Sequence, residues 1–93
     1  MNNVQIASAI ASLAITGNPL LSIEEIDNDQ SPYQGVLILH SEAKSKGVHV
    51  YLCDDEEGSE LWMLDSTDFE KGEVNPVPLT ALEFNIAIQW LCS

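Results

Sequence analysis

The sequence has no arginine and only three lysines, Lys44, Lys46 and Lys71, against fifteen aspartates and glutamates. With both histidines neutral, its 93 residues carry a formal net charge of -12. So few cations exclude the nucleic-acid backbone as a direct ligand, because basic side chains supply most of that affinity. They also leave little with which to stabilise an anionic substrate. Long apolar runs are missing too, and no stretch could span a bilayer. The apolar first twenty residues lack the basic start of a signal segment and are interrupted by Gln5, Ser8 and Ser12. An acidic surface is repelled by anionic lipids. Two cysteines, Cys53 and Cys92, are too few for a disulfide framework. These absences predict a cytoplasmic protein with reduced thiols and no membrane association.

Motifs are equally scarce. The chain has no nucleophile elbow, no glycine-rich phosphate loop and no HExxH, so no catalytic residue is expected and the protein is not read as an enzyme. His40, His49, Cys53 and Cys92 form no CxxC or HxxxH pair. On an extended strand His49 and Cys53 lie about 13 Å apart, too far to share one zinc ion. The acidic runs fail as calcium loops. Counted from Asp54, glycine falls one position early; counted from Asp55, the turn has no glycine and no acid closes the loop. In the run from Asp27, Pro32 occupies the place where the turn needs glycine. No metal and no cofactor is expected.

What the chain does have is a core. Hydrophobic residues make up 45% of it, too many for a disordered acidic tail. The length suits one domain over residues 1–93. Ile6, Ile10 and Leu13 recur at helical spacing beside Val4, Ala7, Ala11 and Ala14, with Asn3 as cap and Thr16-Gly17-Asn18-Pro19 as stop. Ser8, Ala9 and Ser12 form a small-residue face suited to packing within the chain or to a dimer, so a monomer or homodimer is expected.

Residues 20–30 fit a strand through Leu21 and Ile23, or a short helix capped by Ser22 and Glu25; the strand is preferred. Ser31-Pro32 breaks the chain. Val36–Leu39 reads as a buried strand and Lys44–Gly47 as a turn. Val48, Val50 and Leu52 alternate with His49, Tyr51 and Cys53 in a second strand, Asp54–Ser59 is a loop, and Leu61–Leu64 is a third strand. Trp62 alternates with Leu61 and Met63, so one of these two faces is exposed. Thr67–Pro78, with Gly72 and two prolines, reads as a polar connection ordered by Phe69, Val74 and Val77.

The last helix starts from a Thr80/Glu83 capping box and runs Leu82–Leu91. Its polar stripe is only Asn85 and Gln89, which predicts burial on most sides, with Ile86 and Trp90 packed on the sheet. The expected fold is α+β: a two-layer sandwich with an antiparallel meander of three to four strands and both terminal helices on one face.

The acids fall in strings: Glu24, Glu25, Asp27 and Asp29; Asp54, Asp55, Glu56, Glu57 and Glu60; then Asp65, Asp68 and Glu70, with Glu73 beyond. Carboxylates two residues apart on a strand lie about 6.6 Å apart on one face, near the phosphate spacing along one DNA strand. A basic groove built for that field accepts such carboxylates. These residues are therefore the candidate partner-binding set, and the expected partner is a basic protein or nucleoprotein complex. In size and charge the chain is similar to the small acidic phage proteins that block CRISPR or restriction enzymes. That similarity, one of composition, implies an inhibitor that occludes a nucleic-acid site. The alternative is a cytosolic binding module, such as a secretion chaperone or an immunity protein, that uses an apolar surface.

Overall fold

A computed structural model of the chain describes residues 2–27, 34–42, 45–54, 58 and 60–93, with Asp54 described by its backbone alone. Its elements follow in the order α1 (Asn3–Ile15), β1 (Leu21–Ile26), β2 (Gly35–His40), β3 (Lys46–Asp54), β4 (Glu60–Asp68), β5 (Glu73–Pro78) and α2 (Ala81–Leu91). The strands form one antiparallel sheet in sequence order, β1-β2-β3-β4-β5. The α+β meander with terminal helices is the expected architecture, and it gains a fifth strand.

Period two decides the faces. Val36, Ile38, Val48, Val50 and Leu64 point to one side and are fully buried there against Ala7 and Ala11 of α1 and Ala87 and Leu91 of α2. Alanine at these helix positions lets both helix backbones sit close to the sheet. The packing stripe of α1 is therefore Val4, Ala7 and Ala11, not Ile6, Ile10 and Leu13; Leu13 is 82% exposed. The cap is Asn2, not Asn3: its side chain accepts from the Gln5 N–H, and the Gln5 side chain accepts from the Asn2 N–H.

Three further expectations change. Lys46 and Gly47 belong to β3 and not to a turn, while Lys44 lies outside the described residues. Ser31-Pro32 lies outside them as well. Thr67–Pro78 is not a connection: β4 continues to Asp68, and a turn through Phe69 and Gly72 leads into β5. Gly72 takes a positive φ of 68° there.

α2 begins as expected, with the Thr80 hydroxyl accepting from the Glu83 N–H. It is not buried on most sides. Leu82 is 69% exposed and Ile86 50%; the helix packs mainly on β3 and β4. Ile86 is thus no core residue, whereas Trp90, half-buried beside Lys46, packs against the core as expected. Trp62 packs against the core from the helix side, so Leu61 is the exposed partner of that alternation. Among the described residues, no helix is long and apolar enough to cross a membrane.

Candidate functional site

The meander brings alternate strand ends together. β1 finishes where β2 begins, β3 finishes and β4 begins, since Ile26 lies opposite Gly35, Gly35 opposite Tyr51, and Asp54 opposite Glu60. α2 starts at this end too, because the Leu79 N–H donates to the Trp62 carbonyl near the start of β4. Glu25, Asp27 and Glu60 are exposed there, Asp54 ends β3, and Glu83 sits in the first turn of α2.

Both described lysines lie at the opposite end, Lys46 opening β3 and Lys71 in the β4–β5 turn. Lys46 is occupied. Its Nζ donates to the Trp90 carbonyl at 3.1 Å and the Ser93 oxygen at 3.3 Å, and it stands 5.1 Å from the centre of the Trp90 ring. This cation satisfies carbonyls at the negative end of the α2 dipole. One end of the sheet therefore carries acids without a described lysine, and the other carries mixed charge.

The candidate acids do not form one surface. Glu24 and Glu25 are exposed but point to opposite faces of β1. No described strand bears acids at alternate positions, so the phosphate-like ladder within a strand is absent among these residues; the sheet end gathers the charge instead. Asp29, Asp55, Glu56 and Glu57 lie outside the described residues.

Asp65 is withdrawn from the surface. It is only 6% exposed, on the face opposite the helices, and its Oδ1 accepts the Tyr51 hydroxyl at 2.9 Å. His49, directly across from Asp65, stacks at a tilt on Tyr51 with ring centres 4.8 Å apart. Asp68 holds the β4–β5 turn, its Oδ1 accepting the N–H groups of Glu70 and Lys71, both at 3.1 Å. Glu70 and Glu73 are exposed at that same far end.

A groove of about 510 Å³ lies between α2 and the β4–β5 hairpin, lined by Ser66, Asp68, Lys71, Glu73, Ile86 and Trp90 among others. Sequence reasoning missed it because it assigned no strand to residues 73–78. Ile86, Ala87, Trp90 and Val74 supply its apolar lining, and Asp68, Lys71 and Glu73 give it both signs of charge. Among the described residues no three His, Cys, Asp or Glu side chains converge as metal ligands do. Cys53 and Cys92 are both unbridged.

Compared with known proteins, the chain matches no family model, no curated protein and no solved structure.

Proposed function

We propose that this chain binds a basic, nucleic-acid-binding protein or complex through the acidic end of its sheet and occludes the nucleic-acid site, acting as an inhibitor and not as an enzyme. The observation that carries this reading is the segregation of charge. Glu25, Asp27, Glu60 and Glu83 surround one end of the sheet, while Lys46 and Lys71 lie at the other. A field concentrated at one end orients the molecule toward a cationic groove as it approaches. Its strength at contact comes from carboxylates replacing phosphates in that groove.

The experiment is affinity capture from host lysate at low and at high salt, with the wild type beside a variant carrying Asp27→Asn, Asp54→Asn, Asp55→Asn, Glu56→Gln, Glu57→Gln and Glu60→Gln. A basic protein retained by the wild type at low salt, and lost from the variant, is the expected result. Equal retention by both removes the acidic end from the interface.

A second reading has its own observation. Leu82 and Ile86 stand exposed about one turn apart on α2, and Ile86 forms part of the groove wall. An apolar binding module would use that wall, and its complex would survive high salt.

A further inference from the structure

The two edges of the sheet differ in a way that the register makes visible. In an antiparallel pair, directly opposite residues alternate between those that exchange hydrogen bonds and those that do not, and each edge strand turns the N–H and C=O of alternate residues outward. At β5 the Leu79 N–H donates to the Trp62 carbonyl. Leu79 stands in register with Trp62, one step beyond the Met63–Pro78 pair. Odd-numbered residues of β5 therefore face β4, and Val74, Pro76 and Pro78 turn outward. Two of these three have no N–H to offer. Proline at outward positions disarms an edge against further pairing.

β1 is the other edge. The Ser41 N–H donates to the Leu20 carbonyl, which sets the even residues Ser22, Glu24 and Ile26 toward β2. Leu21, Ile23 and Glu25 then face outward. The Leu21 N–H is taken by the Asn18 carbonyl at 3.3 Å. The N–H groups of Ile23 and Glu25 and the carbonyls of Leu21, Ile23 and Glu25 have no partner among the described residues. No proline interrupts β1 and none of its residues is a lysine. The β5 edge thus offers one outward N–H, that of Val74, whereas β1 offers those of Ile23 and Glu25 together with the carbonyls of Leu21, Ile23 and Glu25.

We infer that the free edge of β1 is a strand-addition site for an extended, lysine- or arginine-bearing segment of a partner protein. Charge selects this occupant. Glu24 and Glu25 project to the two faces of the edge and Asp27 follows at its end, all three exposed. A strand laid beside them meets a carboxylate on either face, so cations at neighbouring positions of the incoming strand are both matched. A second copy of this chain is disfavoured, since it would bring the same acids and a further net charge of -12 to one seam. The edge also leads into the acidic end, so a partner bound there continues along it. The inference rests on the proposed function only in taking the partner to be basic.

The test uses the full chain and a blocked peptide in which pairs of adjacent lysines are separated by pairs of valines, so that an added strand presents lysine to both faces. Amide hydrogen exchange and amide chemical shifts are followed by NMR during titration. The Ile23 and Glu25 amides should exchange quickly in the free protein and slow by about tenfold or more at saturation, while the β5 edge is unchanged. Glu25→Pro removes one outward N–H without touching the β1–β2 ladder and should weaken binding at least tenfold. Glu25→Gln keeps the N–H and should cost only a few-fold.

Peptide shifts spread over the acidic surface without protection of Ile23 and Glu25, no peptide binding at all, or Glu25→Pro binding like wild type would each overturn the inference. So would protection of these amides in the absence of peptide, accompanied by a concentration-dependent dimer in sedimentation. The wild-type exchange measurement stands even if Glu25→Pro fails to fold. A Glu25→Pro protein that still displaces DNA from a basic partner removes the edge and leaves the proposed function intact; a wild type that captures no basic protein removes the function.

Discussion

Tyr51 and Asp65 form a buried polar contact on the face opposite the helices. The Asp65 carboxylate is buried, and the Tyr51 hydroxyl is a donor to it at 2.9 Å. Tyr51→Phe removes that donor while keeping the ring, so it should cost about 1–3 kcal/mol in urea denaturation. A loss within the error of the fit would show that the contact contributes nothing. The core offers a sharper contrast. Leu64→Ala should cost about 2–5 kcal/mol, as expected for a fully buried leucine, whereas Ile86→Ala, at a half-exposed position, should stay under about 1 kcal/mol. Equal losses would mean that α2 packs differently. The alternation in β3 was legible because Val48 and Val50 are apolar every second residue. The burial of Asp65 was not, since an acid in a list of acids gives no sign that a tyrosine on the next strand will cover it.

At the scale of elements, the hairpin of β4 and β5 escaped sequence reading for a physical reason. The polar stretch from Thr67, with Gly72 and the two prolines, resembles a connection, because strands seldom carry such residues. The register explains why they are tolerated: Pro76 and Pro78 stand where an edge strand needs no N–H toward its neighbour. α2 was over-read for the opposite reason. Its apolar composition predicts burial on most sides, yet Leu82 is 69% exposed and Ile86, in the groove wall, 50%.

Gly35 was not singled out in the sequence, yet it marks a close approach of β2 to β3. A Cβ there would collide with the Val50 carbonyl oxygen. Gly35→Ala should therefore destabilise by about 1–3 kcal/mol despite its small size, and an unchanged denaturation midpoint would contradict the close approach. Thr80→Ala should remove the cap of α2 at a cost of about 1 kcal/mol, read from the same transition.

For the whole molecule, the sign and size of the charge are plain in the sequence and its segregation is not. Strings of acids along the chain suggest a linear ladder. The meander instead gathers Glu25, Asp27 and Glu60 at one end of the sheet and leaves Asp68, Glu70 and Glu73 near the lysines at the other. Carboxylates held close together repel, so the fold should gain stability as salt is added, with a thermal midpoint that rises with ionic strength up to physiological salt. The measurement that bears most directly on the proposed function is a competition titration of a captured basic partner, its cognate nucleic acid and this protein, repeated across ionic strength. Occlusion by the acidic end predicts mutually exclusive binding, with association that slows steeply as the Debye length shrinks to about 8 Å at 0.15 M salt. A ternary complex that forms with no loss of affinity for the nucleic acid would contradict it.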